Sequence, residues 1–214
     1  EQVEKCGIAG SQILVTVHGK EEVENCLHSH DDDQDHHHTD IEGIEHIISR
    51  LDIPDSVKKD VLAVYSIIAD AESAVHKKPV HKVHFHEVGA VDSIIDIVGA
   101  AICFDSFKAD RILSSTVQTG GGFVRCAHGT LPVPAPATAE ILKGIPVKTG
   151  AVPFECTTPT GAAILAATVA RFTDQIRFTP MKTGYGIGQR TAEIPNVLRV
   201  FLGEMAEEAF TGDV

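Results

Sequence analysis

The sequence predicts an α/β protein, with α+β as the alternative, in which a mixed sheet is accompanied by helices. Apolar residues recur at helical spacing in several long segments, and short β-branched runs bounded by glycine or proline are interspersed between them. This interleaving of the two patterns is typical of the mixed classes. No glycine-rich turn stands between a strand and a helix as the dinucleotide-binding fingerprint requires, so a Rossmann fold is not predicted.

The first half of the chain predicts one strand, one loop and three helices. Residues 13–17 are largely β-branched and predict a strand, whereas 26–40 are rich in His and Asp, cannot build a core and predict a solvated loop. Apolar spacing, together with Pro54 and Pro79, predicts helices over 41–51, 55–76 and 91–107.

The second half predicts shorter elements separated by glycine and proline. Strands are predicted over 111–117, 123–128 and 197–202 and around Val147. Helices are predicted over 136–142, where Pro136 starts the helix and Gly144 stops it, and over 162–172, which is apolar. The glycine run 120–122 is expected to be a flexible turn, and the run 184–188 is only a weak candidate for ligand binding.

Charge and cysteine content limit the function classes. The 214-residue chain has a formal net charge of −12, which argues against sequence-independent nucleic-acid binding, since that needs a basic face. No apolar run approaches the roughly 18 residues of a membrane span, and residues 1–5 do not resemble a secretory signal. The five cysteines form no Cys-x-x-Cys pair and are typical of reduced thiols, so a cytoplasmic location is expected.

Residues 84–96 carry the most distinctive chemistry. If the segment is extended before Gly89, His84 and His86 project to one face and Glu87 to the other. Imidazole ligands suit nickel, zinc or cobalt, whereas carboxylates also suit magnesium or manganese, and the pattern does not choose among these metals.

Asp92 and Asp96 extend this pattern into the helix predicted from Val91. They lie one turn apart on a helix that is otherwise apolar nearly all round, as buried helices are. Because an unpaired buried charge is costly, the two carboxylates must face a cleft, a cation or a hydrogen-bonding partner. The segment therefore predicts a metal or acid–base site, and the alternative is structural, with Asp92 capping the helix and the histidines in the core.

The predicted loop carries a second candidate metal site. Residues 28–38 contain five histidines and four aspartates, and neutral imidazoles at this density bind transition metals. We expect labile metal capture there, and the alternative is a loop that tolerates any polar residue. The histidines are His28, His30, His36, His37 and His38.

The segment before the last predicted helix is a candidate anion site. Residues 157–161 offer threonine hydroxyls and backbone N–H groups at a helix start, which suits phosphate or carboxylate. An ordinary N-cap has the same appearance. Arg125 and His128 lie close together in sequence and are further candidates for ligand contact, although a lone His is more often structural.

Four ordered motifs give the chain a family resemblance. It resembles the nickel-insertion protein of the lactate racemase maturation system over nearly its whole length. The motifs are HFHEVGAVDSIIDIVG (84–99), HGTLPVPAPAT (128–138), TTPTGAAIL (157–165), and GYGIG (184–188) followed by PNVLRV (195–200).

The resemblance implies an activity and a set of partners. Such proteins insert nickel into pyridinium-3,5-bisthiocarboxylic acid mononucleotide, between its two sulfurs and a ring carbon, and consume CTP with manganese or magnesium. The product is the nickel-pincer nucleotide cofactor. By this resemblance the chain is a nickel-inserting cyclometallase of the lyase class that forms a homo-oligomer. Its expected partners are the pyridinium mononucleotide, a CTP-binding domain or partner chain, and the lactate racemase apoprotein, with no nucleic acid and no membrane.

Roles can be placed on the matching positions. His84 and His86 would handle nickel together with Asp92 and Asp96. Glu87, Asp92 and His86 would be catalytic, with Glu87 or Asp92 as the general base or as a partner that orients a ligand. The substrate phosphate or carboxylates would be bound by Arg125, His128, Thr158, Thr160 and Gly161.

The resemblance also sets an expectation for domain organisation. Residues 1–214 are expected to form a single module like the N-terminal domain of that family, with the His/Asp-rich loop at 26–40. The C-terminal CTP-binding domain is expected to be absent, so that activity would need a nucleotide-binding partner.

The residue chemistry leaves two other functions open. One is a non-catalytic nickel carrier or storage module, in which the loop and the His84/His86 pair hold metal and no substrate binds. The other is a divalent-metal-dependent hydrolase of a phosphate ester that uses Asp92 and Asp96.

Overall fold

The structure is a computed structural model that describes residues 1–17, 20–21, 41–82, 91–126 and 129–205. It divides the chain into two compact units, Glu1–Glu22 with Gln175–Val214 and Val23–Asp174. Helices occur with parallel, antiparallel and mixed sheets, which confirms the predicted α/β class. That residues 1–214 act as a single module stays a prediction. None of the described helices is long and apolar enough to cross a bilayer.

The described elements are as follows. The strands are β1 (Gln2–Lys5), β2 (Ile8–Ser11), β3 (Thr16–Val17), β4 (Lys20–Glu21), β5 (Leu113–Ser114), β6 (Val117–Gly120), β7 (Phe123–Cys126), β8 (Gly129–Pro132), β9 (Val147–Thr149), β10 (Arg171–Phe172), β11 (Phe178–Ile187) and β12 (Val197–Met205). The helices are α1 (Ile41–Ser49), α2 (Asp55–His76), α3 (Val91–Phe107), α4 (Pro136–Ile141) and α5 (Pro159–Thr168), with a 3-10 turn at Val80–Lys82.

The first unit is built on a four-stranded sheet in the order β1-β2-β11-β12. A two-residue turn joins β1 to β2, and both of its residues, Cys6 and Gly7, have positive φ, as the tight hairpin turn requires. β2 pairs in parallel with β11, and β11 pairs antiparallel with β12. The Lys5 ammonium donates to the carbonyls of Gly188, Gln189 and Arg190 at 2.5–2.6 Å and so fixes the loop after β11.

The second unit is organised around α2. This 22-residue helix packs against α1, α3, α4 and α5. Its inward face follows the helical spacing of apolar residues and is buried throughout. The core that results includes Ile44, Ile48, Val57, Val61, Val64, Tyr65, Ile68, Ile97, Ala162 and Ala163.

Two predicted elements of the second half end differently in the structure. The helix predicted over 162–172 begins at Pro159 and ends at Thr168, and Arg171–Phe172 forms a strand parallel to Leu113–Ser114. The prediction was wrong there because apolar content alone does not separate the end of a helix from a strand that follows it. The strand predicted over 111–117 is two short strands, β5 and β6.

The sequence analysis also missed strands. It predicted none over Gln2–Lys5 and Ile8–Ser11, and it predicted no strand over β11. Along β11 most residues are exposed, so the alternation that marks a half-buried strand is weak. Glycine is also depleted in strands, and Gly184 and Gly186 hide the pattern further.

The end of β6 is held against the segment that leads into α5. Gly120 has a φ of +77°, and a Cβ at this position would lie 1.9 Å from the Phe154 carbonyl oxygen. Cys156 N–H donates to the Thr119 carbonyl at 3.0 Å, and the Thr157 hydroxyl donates to the Gln118 carbonyl at 2.7 Å. Only glycine permits this close approach, and it places the start of α5.

We therefore expect Gly120→Ala to lower the free energy of unfolding by at least about 3 kcal/mol, from backbone strain plus the clash with Phe154. The matched control is Gly144→Ala, where φ is +80° but nothing lies within 4 Å of the added Cβ, so strain alone costs about 1–2 kcal/mol. Urea unfolding measures both. Equal losses would contradict the close-approach explanation.

Candidate functional site

The structure describes six of the predicted site residues. Asp92 and Asp96 lie in α3, Arg125 in β7, Thr160 and Gly161 in the first turn of α5, and Thr158 just before it. The remaining predicted residues lie outside the described part of the chain, namely His28, His30, His36, His37, His38, His84, His86, Glu87 and His128.

The helix α3 presents its carboxylates beside its buried face. Ser93, Ile97 and Ala101 point into the core, Asp92 is half-buried, and Asp96 is exposed one turn further on. The expectation that α3 is buried nearly all round is wrong for the described structure, since one face remains open to solvent. Asp92 Oδ1 accepts a hydrogen bond from the Ser93 N–H at 2.7 Å, which fits the structural alternative without excluding metal binding.

Burial and like charge both act on the carboxyl of Asp96. Partial burial of the carboxyl, and then the negative charge of Asp92, raise the pKa of Asp96 above its ordinary value. Partial burial and the second negative charge would likewise favour the binding of a cation between the two side chains. The pair is therefore suited to take up either a proton or a cation.

Tyr65 is a neighbour of this pair that the sequence analysis missed. It lies on α2 and is fully buried, and burial, followed by the charge of Asp92, raises the pKa of its phenol. Tyr65 is the only tyrosine among the Val, Ile and Ala residues on the inner face of α2. A phenol at such a position needs a hydrogen-bonding partner, and that requirement was the signal in the sequence.

The start of α5 is an N-cap. Thr158 has extended backbone angles, and its hydroxyl oxygen accepts a hydrogen bond from the Gly161 N–H at 3.2 Å. Its carbonyl accepts from the Ala162 N–H. Thr158 and Gly161 thus have a structural role, as the alternative interpretation held. Anion binding by Thr158, Thr160 and Gly161 stays a prediction.

Helices α3 and α5 lie side by side on α2. Ala101 of α3 and Ala167 of α5 line the same cavity of about 290 Å³, together with Asp60 and Ala63 near the start of α2. Asp92 and Thr158 each precede their alanine by nine residues, which is about 13 Å along a helix. Both first turns therefore lie about two and a half helical turns from the part of the cavity that these alanines line.

Arg125 lies in the two-stranded sheet formed by β7 and β8. It is exposed on β7, which pairs antiparallel with β8, and it stands opposite Thr130. Nothing described places it next to the α3 carboxylates or to the α5 N-cap. Its contact with substrate stays a prediction.

No three His, Cys, Asp or Glu side chains within the described ranges are grouped so that they could hold a metal ion. Asp92 and Asp96 supply two oxygen-donor side chains, so the predicted site needs further ligands. The predicted further ligands are His84 and His86, which precede the first residue of α3 in the sequence by seven and five positions.

Comparison with known proteins gives a consistent family. A family model described as nickel insertion protein matches residues 1–213. The pyridinium-3,5-bisthiocarboxylic acid mononucleotide nickel insertion protein of Clostridium acetobutylicum is 54% identical over 98% of this chain and 54% of its own length. That of Clostridium kluyveri is 55% identical over 95% of this chain and 50% of its own length.

A putative nickel insertion protein of Maridesulfovibrio salexigens is 54% identical over 78% of this chain and 40% of its own length. The chain spans about half the length of the curated relatives it matches. No solved structure matches it.

We expect Asp96→Asn to raise the free energy of unfolding at pH 7, by less than about 1 kcal/mol because the carboxyl is solvent-screened. Since the folded-state pKa is raised, the ionised carboxylate disfavours folding above that pKa. The gain should disappear as the pH falls through the folded pKa. Asp70→Asn, at an exposed position of α2, is the control and should leave the free energy of unfolding at pH 7 nearly unchanged. A loss of stability in Asp96→Asn at pH 7 would contradict this electrostatic account.

Proposed function

The chain belongs to the nickel insertion protein family, and on that premise we propose that it is the module that holds nickel and the pyridinium mononucleotide during insertion. The reaction would convert pyridinium-3,5-bisthiocarboxylic acid mononucleotide into the nickel-pincer nucleotide. The names of the relatives support this substrate, and the paired carboxylates of α3 are the observation in the structure that carries the proposal.

The reaction sets three chemical requirements. Nickel, the metal substrate, must be held by ligands that can exchange. Two sulfurs and one ring carbon of the mononucleotide then bind it, and the ring carbon gives up its proton as the carbon–nickel bond forms. A base must accept that proton, so carboxylates and imidazoles near the metal can serve both needs.

Residues 84–96 supply both kinds of group. His84 and His86 would be exchangeable imidazole ligands for nickel, and Asp92 and Asp96 would complete the cation site. Glu87, Asp92 or His86 would accept the ring proton. The raised pKa of Asp96 supports this assignment, because a partly desolvated carboxylate beside a second one binds protons and cations more strongly than a fully solvated carboxylate does.

The anionic groups of the substrate would be bound at the start of α5. Thr158, Thr160 and Gly161 lie there, and Arg125 and His128 would add positive charge. The contact between α3 and α5, which both pack on α2, supports this arrangement.

The consumption of CTP would take place on a segment other than the 214 residues of this sequence. We propose that CTP, with manganese or magnesium, is consumed through a CTP-binding domain or partner chain, which would make the reaction that of a lyase-class cyclometallase. The matched relatives are about twice as long as the matched region, which leaves room for such a domain. The product would be delivered in the cytoplasm to the lactate racemase apoprotein.

The His/Asp-rich loop favours a second candidate function. Residues 28–38 could store nickel in a carrier that binds no mononucleotide. The two functions differ in where tight nickel binding occurs, because a carrier would depend on the loop and an insertion module on residues 84–96.

Anaerobic equilibrium dialysis of nickel separates them. With residues 28–38 deleted, we expect the chain to hold about one tightly bound nickel ion, and the further double variant His84→Ala/His86→Ala to hold none, because it lacks both imidazoles. The control is His46→Ala/His76→Ala in the same loopless chain, which removes two histidines from α1 and α2 and should leave binding unchanged.

Two outcomes would contradict the proposal. If the loopless chain bound no nickel tightly, the carrier function would be favoured. If the His84→Ala/His86→Ala variant bound nickel as well as its parent, the segment would be structural.

A further inference from the structure

The C-terminal end of α2 is followed by a dense group of basic residues. Lys77, Lys78, His81 and Lys82 lie within six positions of a chain whose net charge is −12. All four residues are exposed, and we refer to them as the basic turn. An acidic chain repels anions in general, so this concentration of positive charge provides a local surface that attracts them.

The basic turn has an ordered backbone. The N–H groups of Lys77 and Lys78 both donate to the Ser73 carbonyl, and the Ser73 hydroxyl donates to the Lys78 carbonyl. The Lys82 N–H donates to the Pro79 carbonyl at 2.8 Å and closes the 3-10 turn, which contacts α2. The four basic side chains are therefore attached to a segment whose conformation is fixed by hydrogen bonds.

The charges of the basic turn are not neutralised within the described ranges. Three other lysines each form an ion pair with a carboxylate at 2.6–3.1 Å, whereas none of the four residues of the basic turn forms an ion pair with a described residue. The favourable field at the C-terminal end of a helix falls off within the last turn, and α2 ends at His76. The helix dipole therefore does not account for Lys78, His81 or Lys82.

Lys77 provides an independent observation. Its φ of 53° and ψ of 39° are left-handed, at the position after a helix where glycine or asparagine is the usual residue. Lysine is strained there because of its Cβ, and strained residues cluster at sites of binding and catalysis. The chain thus places a positive charge where the backbone favours a neutral residue.

The basic turn lies toward the start of α3, because α2 and α3 run in opposite directions. Asp60, near the start of α2, lines the same cavity as Phe104 and Asp105 near the end of α3. Further along α2, burial and then the charge of Asp92, at the start of α3, raise the pKa of Tyr65. The end of α2 therefore extends past the end of α3 that carries the acidic pair.

We propose that the basic turn binds the phosphate group of a nucleotide. A phosphate accepts several charge-assisted hydrogen bonds, and the three ammonium groups and one imidazole of this turn are donors for them. In a mononucleotide the ribose separates the phosphate from the ring. A phosphate subsite should therefore lie at a distance from the metal ligands, and the basic turn lies beyond the start of α3.

The pyridinium mononucleotide and CTP both carry this chemistry. Assignment to either nucleotide rests on the proposed function, and for the mononucleotide it adds a phosphate contact to the contacts proposed at the start of α5. The anion site itself rests only on the charge and the backbone of the basic turn.

Phosphorus-31 NMR titration of the metal-free chain tests the proposal without nickel. The probes are inorganic phosphate, CTP and nicotinamide mononucleotide, which is a pyridinium mononucleotide without thiocarboxylates. We expect the wild type to bind them, and Lys78→Gln/Lys82→Gln to raise the dissociation constant at least about 10-fold, because two charge-assisted contacts are lost. The matched control is Lys59→Gln/Lys182→Gln, which removes two exposed lysines elsewhere and should bind like the wild type.

Lys77→Asn separates binding from folding. Asparagine suits the left-handed conformation better than lysine, so the melting temperature should rise, whereas the lost charge should weaken phosphate binding about threefold or more. Nicotinamide riboside, which has the ring and the ribose but no phosphate, should bind the wild type and the variants with equal affinity.

The choice of probe identifies the nucleotide. A loss of affinity for nicotinamide mononucleotide in the Lys78→Gln/Lys82→Gln variant would support the proposal and assign the site to the phosphate of the substrate. A loss confined to CTP would support it and assign the site to the triphosphate.

Three results would overturn the proposal. They are no binding of any phosphate probe by the wild type at millimolar concentration, equal affinity of the wild type and the Lys78→Gln/Lys82→Gln variant, and equal weakening in the control variant. A chain that binds phosphate through the basic turn but holds no nickel in dialysis would contradict the proposed function alone.

Discussion

The burial of α2 among four other helices is the constraint on which the second unit depends. Its inward face is apolar except for Tyr65, so α1, α3, α4 and α5 are each fixed by contact with the same helix. Because α3 packs through Ser93, Ile97 and Ala101, the direction in which its other residues point is fixed as well. The position of the acidic pair is thus a consequence of core packing.

That packing gives α3 two different edges. On one, partial burial and the neighbouring charge of Asp92 raise the pKa of Asp96. On the other, Val91, Ile95 and Ile102 are exposed apolar residues. A helix that is largely apolar can therefore serve both a core and a candidate metal site.

Sequence periodicity predicted the helices well, because each buries one continuous face. The bounds of α2 and α3 agree with the prediction, since prolines and strong apolar spacing mark them. β11 was missed because its exposed residues and glycines carry no alternation. At the candidate site, the stacking of Asp92 and Asp96 follows from helical geometry alone. The proximity of Tyr65 depends on how α2 packs against α3, which spacing within one segment does not encode.

The central claim is that residues 84–96 hold nickel through imidazole and carboxylate ligands before it is transferred. Nickel K-edge X-ray absorption of the nickel-loaded chain lacking residues 28–38 tests this most directly. The account predicts a shell of nitrogen and oxygen donors with multiple scattering from two imidazoles, and a loss of oxygen donors in Asp92→Asn/Asp96→Asn. A sulfur shell from cysteine, or a spectrum without imidazole scattering, would contradict it.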